Sequence, residues 1–424
     1  MKVSIYCFLA ATCILPARLP AYSVLTHEAI IDSAWPRDLR PLILERFPNA
    51  TNDQLREAHA YAYGGAIIAD MGYYPFGSKF FSDLAHYTRS GDFVIALLQA
   101  ARQSQDMNEY AFALGTLAHY AADNLGHPIA INRTVPLVYP KLRARFGPVI
   151  TYEDNPSAHL KTEFGFDVIE VARGQYANEA YHDFIGFKVS KPLLERAFQQ
   201  TYCVPLKDLF TSLDLALGTY RYSVRQAIPE MTKAAWAAKK KDIQALQAGM
   251  TRKRFVYRIT IAAYQKEWDN QYRRPGFGAR FLAFLFRLIP KIGPLRALAF
   301  HVPPPAAEKM FLTSLDDTIQ RYRELLRTYK AGRLQLANEN FDTGRPTRIG
   351  EYRLADETYA KLLERYEGHM IDVSPEMRAN ILMFYGASGA PDSEKAKSVL
   401  AALRTNAAVG RAPGPAAGAP AGLR

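Results

Sequence analysis

The stretch from Ala111 to Asn132, AFALGTLAHYAADNLGHPIAIN, constrains the fold more than any other part of the chain. Its apolar spacing predicts an amphipathic helix that carries His119, Asp123 and His127 at steps of four residues. Four residues turn an α-helix through roughly 400°, so these side chains follow one stripe with a drift of about 40° per step. The rise of about 12 Å from His119 to His127 is too large for one shared ion, but Asp123 lies between them. The stripe therefore predicts the wall of a multinuclear metal site, and an ordinary helix with two solvated histidines is the alternative.

Gly126 and Pro128 are expected to end this helix, because a residue before proline is pushed away from helical angles. The remaining pattern is helical almost throughout, with no convincing alternation typical of strands and no repeat of solenoid length. With 49% hydrophobic and 22% charged residues, the composition is that of a globular protein. We therefore predict an all-α, multi-helix fold. Clear helices are predicted at 83–89, 91–103, 107–126, 156–173, 178–183, 190–201, about 305–331, and within 205–270.

Two further features of the pattern bear on packing and organisation. Gly64-Gly65 interrupts a predicted helix that runs to Ile68, which indicates either close packing or a break. We divide the mature chain into a metal-binding domain, a basic helical extension, a small helical unit and a disordered tail rich in Pro, Ala and Gly. The predicted bounds are 22–210, 211–345, 346–404 and 405–424.

The N-terminus has the pattern of a secretory signal peptide over residues 1–21. Lys2 precedes a short apolar run, and small residues lead to a cleavage point after Ala21. An uncleaved anchor is the alternative, but the run is short for a membrane span. Cys203 is the single cysteine beyond this segment, so cysteine usage does not indicate the compartment. We predict an exported protein, periplasmic or secreted, with membrane association as an open option.

Positive charge is concentrated in residues 221–300, which hold 17 Lys and Arg against 4 Asp and Glu, in a chain of net charge +12. This concentration indicates a surface for anions such as lipid head groups, nucleic acid or a partner, or else a set of solvated helix faces. The segment 277–300 is strongly apolar and contains spaced basic residues. Pro290 and Pro294 interrupt it, so it is not a simple transmembrane helix. An interfacial membrane segment and a buried hairpin both fit it.

Further candidate ligands lie on both sides of the central helix. His159 and Glu163 are four residues apart on a second predicted helix, and His27, Asp70 and His86 precede the central helix. Imidazole nitrogen and carboxylate oxygen together suit zinc, and the lack of thiolate argues against a closed structural site. In open sites of this kind a metal-bound water becomes a nucleophile near neutral pH. The histidines without such partners are interpreted as structural or surface residues: His59, His182, His301 and His369.

The segments THEAI, GAIIAD, HYAADNLGHP and SAHLKTEFG, in this order, resemble the zinc-dependent phospholipase C family. That family includes bacterial phospholipases C and the catalytic domain of glycosylphosphatidylinositol-specific phospholipase D, and zinc-dependent single-strand nucleases share its fold. The resemblance covers about residues 22–210. It implies three zinc ions in an all-α domain, or two if the N-terminal site does not form.

The resemblance also implies which residues hold each ion. The first would be bound by Asp70, His86, His119 and Asp123, and the second by His127, His159 and Glu163. The third would use His27, a bridging Asp123, and the amino and carbonyl groups of Tyr22, where the phospholipases C and the nucleases have tryptophan. His127 follows Asp123 by four residues, as in the phospholipase D-like branch, instead of six. This spacing weakens the expectation of phosphatidylcholine-type specificity and of nuclease activity.

These observations predict a zinc-dependent phosphodiester hydrolase of phospholipase C type, acting on phospholipid or another phosphodiester. Asp70 is the candidate general base, a ligand, or both. The expected partners are the substrate and, through 277–300, an anionic membrane surface; nucleic acid is less favoured. A nuclease or nucleotidase on the same metal site and a non-catalytic zinc-binding module are the alternatives. Aromatic residues just after Asp70 line the substrate entrance or belong to the core: Tyr73, Tyr74, Phe76, Phe80 and Phe81.

Overall fold

The computed structural model describes residues 24–173, 187–246, 251–252, 301, 303–368 and 373–409. Over these ranges the chain is helical apart from turns, loops and one strand pair, so the all-α prediction is confirmed. The pair consists of β1 (Glu339–Asn340) and β2 (Arg345–Pro346), which run antiparallel with Glu339 opposite Pro346. Two-residue strands are too short to produce an alternating pattern, and the sequence therefore gave no sign of them.

The helices of the first half surround the predicted central helix. They are α1 (Val24–Ala34), α2 (Arg40–Arg46), α3 (Asn52–Ile67), α4 (Lys79–Tyr87), α5 (Ser90–Ser104), α6 (Met107–Gly126), α7 (Asn132–Val138), α8 (Pro140–Phe146) and α9 (Pro156–Arg173). Those of the second half are α10 (Lys191–Tyr202), α11 (Leu213–Leu246), α12 (Pro305–Lys330), α13 (Arg353–Arg365), α14 (Pro375–Tyr385) and α15 (Glu394–Val409). Turns of 3-10 helix span Ile68–Tyr73 and Leu206–Leu209, and π-helical turns span Trp35–Leu39 and His127–Ile131.

Side-chain caps fix where the two central helices begin. Before α3, the Thr51 hydroxyl accepts a hydrogen bond from the Gln54 backbone N–H, and the Gln54 side chain accepts one from the Thr51 N–H. Before α6, the Asp106 carboxylate accepts hydrogen bonds from the N–H groups of Asn108 and Glu109. These caps satisfy donors that the first turn of a helix leaves without a partner.

Helices α3 and α6 approach each other through glycines. A Cβ atom on Gly65 would lie 1.9 Å from the backbone oxygen of Phe112, and one on Gly115 would lie 2.0 Å from the backbone oxygen of Ala62. Neither position has room for a side chain, so the two backbones are in direct contact. Close packing is therefore the role of Gly65, and α3 continues unbroken past it to Ile67.

The C-terminal helices share one apolar core with the first half. The core is continuous from Val24 to Leu403, and the Tyr322 hydroxyl on α12 donates to the Leu114 oxygen on α6 at 2.9 Å. The Tyr366 hydroxyl donates to the Tyr202 oxygen at 2.6 Å. The boundary placed between 345 and 346 falls inside β2. The division of the chain into the units 22–210, 211–345 and 346–404 stays a prediction.

The end of α6 differs in one respect from expectation. The helix ends at Gly126 as predicted, but His127 keeps helical angles, with φ −62° and ψ −62°. The chain passes through the π-helical turn directly into α7, so the predicted break before Pro128 is wrong. Pro128 stands near the start of this wider turn, where a missing N–H costs little. His127 is thereby held one turn beyond Asp123.

Several sequence predictions lie outside the described residues. These are the signal peptide 1–21, Tyr22, the helix at 178–183 and the segment 277–300. Of the tail predicted to be disordered, residues 405–409 belong to α15 instead. In the parts of the chain that the structure describes, no helix has both the length and the apolar character needed to cross a membrane.

Candidate metal centre

The predicted ligands come together in one buried cluster. Apart from Tyr22, all of them are described, and each is at most 4% exposed. They come from α1, the turn before α4, α4 itself, α6, the π-helical turn and α9. The members are His27, Asp70, His86, His119, Asp123, His127, His159 and Glu163.

Asp123 lies at the centre of the cluster, with the Nε2 atoms of four histidines around its carboxylate. Its Oδ2 atom is 3.3 Å from His119, 3.4 Å from His86 and 3.9 Å from His127, and its Oδ1 atom is 3.5 Å from His27. A helical stripe alone would bring Asp123 near His119 and His127. The fold adds His27 and His86 from two other helices.

Asp70 is the second carboxylate of this group. Its Oδ1 atom is 3.3 Å from the Nε2 atom of His86, and its Oδ2 atom is 4.0 Å from that of His27. Two sets of three donors have atoms that all lie within 4.8 Å of one another: His27, His119 and Asp123, and Asp70, His86 and His119. Both sets consist of imidazole and carboxylate groups close enough to hold a metal ion.

Hydrogen bonds on the far side of two rings fix which nitrogen faces the cluster. The Nδ1 atom of His119 lies 2.9 Å from the Ala66 backbone oxygen, and that of His86 lies 2.7 Å from the Ser82 backbone oxygen. A carbonyl oxygen can only accept, so Nδ1 carries the hydrogen, and in a neutral ring Nε2 then has its lone pair free. Both Nε2 atoms are buried and have no hydrogen bond. Histidines that bind metal ions usually have this arrangement.

A further set of three donors lies beyond Asp123 and contains a residue that the sequence did not indicate. It consists of His127, His159 and Asp342, again with donor atoms within 4.8 Å of one another. Glu163 contacts this set through His159: the Oε1 atom of Glu163 lies 2.6 Å from the Nδ1 atom of His159. Asp342 lies in the loop between β1 and β2 and has no partner at helical spacing, so the sequence held no signal for it.

Burial and mutual proximity shift the proton equilibria of the cluster. Burial, with His119 nearby, lowers the pKa of His27 to about 3, and burial lowers the pKa of His159 to about 3. Burial also disfavours the charged form of His86, but the neighbouring carboxylates of Asp123 and Asp70 outweigh this and raise its pKa to about 10. Burial raises the pKa of Glu163 well above its usual range. Without a metal ion, the carboxylates and imidazoles of the cluster thus compete for protons.

The donor chemistry fits zinc. Nitrogen and oxygen donors meet without any thiolate, and the Asp70, Asp123 and Glu163 carboxylates include buried oxygens that have no hydrogen bond. Leaving such groups buried without partners is costly, and a divalent cation would remove that cost.

Residues 26–212 match the family model described as zinc dependent phospholipase C. Over this segment the chain is similar to the zinc-dependent phospholipase C family. No curated protein and no solved structure matches it significantly. The segment that matches this phospholipase C family includes all eight described ligand candidates, whereas Asp342 lies 130 residues beyond its end.

In this phospholipase C segment, α9 continues the spacing of four residues for one more step. Asp167 follows Glu163, and its carboxylate accepts hydrogen bonds from the Thr26 hydroxyl at 2.5 Å and from the Leu25 N–H at 3.2 Å. It therefore ties α9 to the first turn of α1, next to His27. Asp167 was not among the predicted site residues, although the spacing from His159 through Glu163 could have indicated it.

The aromatic residues after Asp70 have different surroundings. The Tyr73 ring is 5.8 Å from that of His86, so it contacts the cluster of candidate ligands. Tyr74 and Phe81 are buried in the core, whereas Phe76 is exposed and Phe80 is partly buried. Tyr73 is therefore the member of this run that directly adjoins the candidate metal centre.

The other histidines that the structure describes lie outside the phospholipase C-type cluster. His59 stacks on Trp35 and lies 3.0 Å from an Asp32 carboxylate oxygen. His301 has its ring 5.3 Å from that of Tyr139. His182 and His369 lie outside the described residues.

Proposed function

We propose that this protein is a zinc-dependent phosphodiester hydrolase of phospholipase C type that acts on phospholipids through a multinuclear centre. One observation carries this proposal: the Nε2 atoms of His86, His119 and His127 all face the buried carboxylate of Asp123. A carboxylate among several imidazoles can bridge ions that no pair of histidines could share.

The proposed assignment of ligands follows the family and the distances. Asp70, His86, His119 and Asp123 bind one zinc ion, and His127, His159 and Glu163 bind a second. His27 and Asp123 bind a third together with the mature N-terminus at Tyr22. The proximity of the His27 Nε2 atom to Asp123, at 3.5 Å, supports its participation.

Bound zinc would polarise the phosphate oxygens and lower the pKa of an attacking water. Asp70 is the proposed general base, because its carboxylate lies among the candidate ligands and burial raises its pKa. A carboxylate with a raised pKa holds an abstracted proton more firmly than an ordinary aspartate. His86, 3.3 Å from Asp70, restrains the position of that carboxylate.

Phospholipid is the proposed substrate on the basis of the family and of the basic, apolar segment 277–300. In this proposal the segment contacts an anionic membrane surface, and its Lys and Arg side chains attract the head groups. Export through the N-terminal signal peptide would bring the enzyme to such a surface.

Product identification tests the proposed activity. The mature, zinc-loaded protein is incubated with vesicles of phosphatidylcholine, phosphatidylglycerol and phosphatidylinositol, and separately with single-stranded DNA. Mass spectrometry then identifies products with and without a chelator. We expect chelator-sensitive diacylglycerol from the wild type and from Asp83→Asn, which alters a buried carboxylate outside the cluster, but not from Asp123→Asn. Phosphatidic acid would contradict the C-type bond, and nucleotides alone would contradict the lipid substrate.

A further inference from the structure

The loop between β1 and β2 brings a buried carboxylate to the metal centre from beyond the matched segment. The loop covers residues 341–344, and with β1 and the first residue of β2 it has the sequence ENFDTGR over residues 339–345. Asn340, Phe341 and Asp342 are each at most 2% exposed. A carboxylate at such a depth requires strong partners, and those of Asp342 include the candidate ligands.

Asp342 forms a direct hydrogen bond with His127. The Nδ1–H group of His127 donates to the Oδ1 atom of Asp342 at 2.6 Å. The opposite nitrogen, Nε2, is buried without a hydrogen bond and lies 3.9 Å from Asp123. Asp342 thus fixes the hydrogen on one side of the ring and leaves the lone pair on the side of the cluster.

The second oxygen of Asp342 is also occupied. Its Oδ2 atom accepts hydrogen bonds from the Tyr152 N–H at 2.9 Å and from the Tyr352 hydroxyl at 2.6 Å. Its backbone oxygen accepts one from the Asn132 side chain at 2.7 Å, and the Oδ1 atom of Asn132 lies 2.7 Å from the Nε2 atom of His159. These hydrogen bonds hold the carboxylate of Asp342 in place. Asn132, which contacts the backbone oxygen of Asp342, also contacts His159.

Phe341 connects the same loop to the other half of the cluster. Its N–H donates to the His86 backbone oxygen at 3.1 Å. Its ring lies 5.5 Å from that of His86 and 5.8 Å from that of His119. The loop thus contacts histidines on both sides of Asp123.

The distances favour an orienting role for Asp342 over direct coordination. The Oδ1 atom of Asp342 contacts the Nδ1 atom of His127, whereas the opposite nitrogen of the ring, Nε2, faces Asp123. The 2.6 Å between Asp342 and His127 is the length of a charge-assisted hydrogen bond. Two further donors on Oδ2 leave that oxygen little capacity for a metal.

We propose that Asp342 is a positioning residue of the metal centre, which accepts the Nδ1 hydrogen of His127 and directs its Nε2 atom at zinc. This inference rests on the zinc centre of the proposed function. Residues of this kind, which hold a metal ligand by its other nitrogen, typically contribute about 10- to 100-fold to metal affinity. The C-terminal part of the chain would thereby complete a centre whose ligands come from the matched segment.

Zinc binding to the full-length, metal-stripped protein tests the role of Asp342. Competition with a chromophoric chelator gives the affinity, and elemental analysis gives the zinc content at saturation. For Asp342→Ala we expect one zinc ion to bind about 10- to 100-fold more weakly, with the saturated content unchanged. Asp342→Asn, which keeps an acceptor oxygen but loses the charge, should fall between Asp342→Ala and the wild type. Asp83→Asn, the matched buried carboxylate, should bind zinc as the wild type does.

Two outcomes would overturn the inference. An affinity within twofold of the wild type in Asp342→Ala would mean that the residue has no effect on the metal. Loss of one zinc ion even at saturation would make Asp342 a ligand instead.

Tyr352→Phe is a second variant that tests the same role if the Asp342 variants fail to fold. It removes one hydrogen bond to Asp342 and leaves His127 untouched, and we expect a several-fold loss of zinc affinity. The cobalt-substituted protein should show a shifted absorption spectrum in Asp342→Ala, since the His127 ring reorients; an unchanged spectrum would contradict the proposal. These readouts do not depend on hydrolysis, so the inference and the phospholipase activity can fail separately.

Discussion

The Nδ1 atom of His119 on α6 lies 2.9 Å from the backbone oxygen of Ala66 on α3. This bond exists because α3 and α6 touch through Gly65 and Gly115, next to that histidine in space. The packing of two helices therefore orients a candidate zinc ligand. Stability and metal binding should respond together when the contact is disturbed.

Replacing Gly115 with alanine should push the two helices apart. The new Cβ would lie 2.0 Å from the Ala62 backbone oxygen, which cannot move by a side-chain rotation. We expect a loss of unfolding free energy of about 1–3 kcal/mol, as for other overpacked sites, together with weaker zinc binding. Denaturant unfolding and chelator competition measure the two effects.

Gly218→Ala is the control. Gly218 lies in a helix, and a Cβ added there would have no neighbouring atom within 4 Å, so alanine should instead stabilise the protein by about 0.5–1 kcal/mol. Equal stability of the Gly115 variant and the wild type would show that the contact is not tight.

Replacing Asp123 with asparagine should remove more than one zinc ion per chain. Its two carboxylate oxygens face His27 on one side and His86, His119 and His127 on the other. An amide offers only one oxygen and no charge, so it cannot bridge ions in the same way. Elemental analysis after dialysis measures the change, with Asp83→Asn as the control. Loss of a single ion would argue against bridging.

Replacing Asp70 with asparagine should lower the turnover number by about 10²- to 10⁴-fold, the usual contribution of a general base. The Michaelis constant should change much less, because the substrate contacts remain. Initial rates on vesicles, with zinc content measured in parallel, separate the two proposed roles. Reduced zinc content would show that Asp70 is also a ligand, and a turnover number within tenfold of the wild type would contradict its role as the base.

Buried tyrosines should make the fold sensitive to alkali. Burial raises the pKa of Tyr359 above the value of about 10 of an exposed tyrosine. Above pH 10 the unfolded chain releases this proton and the folded chain keeps it, so the free energy of unfolding falls as the pH rises above about 10. At pH 8 we expect the free energy of unfolding of Tyr359→Phe to be about 1 kcal/mol lower than that of the wild type, because the hydrogen bond to Asn380 is lost. At alkaline pH it should fall less steeply than that of the wild type, by up to about 1.4 kcal/mol per pH unit. Unfolding curves at several pH values measure this slope. The exposed Tyr222→Phe should keep the wild-type slope, and an unchanged slope in Tyr359→Phe would contradict the expectation.

Helical spacing explains most of what the sequence could predict about the site. His119 and Asp123 on α6, and His159 and Glu163 on α9, lie one turn apart and therefore share a face wherever those helices pack. The positions of His27 and Asp70 depended instead on the resemblance to the family. Their surrounding motifs indicated a shared site before any contact was known.

Asp342 could not be found in this way. It lies 215 residues after His127 in a loop too short for any periodicity, and only the folded chain brings the two together. The π-helical turn at His127 was missed for a related reason. The rule that proline disfavours helical angles before it is statistical, and the wider turn that accommodates Pro128 depends on packing around it.

The most direct measurement of the central claim is anomalous diffraction at the zinc edge from crystals of the zinc-loaded protein. We expect at least two strong peaks within the buried cluster, one among Asp70, His86, His119 and Asp123, and one beside His127, His159 and Glu163. We also expect the second peak to face the Nε2 atom of His127. A protein that takes up zinc but shows no anomalous peak between these side chains would contradict the claim that the cluster is a zinc centre.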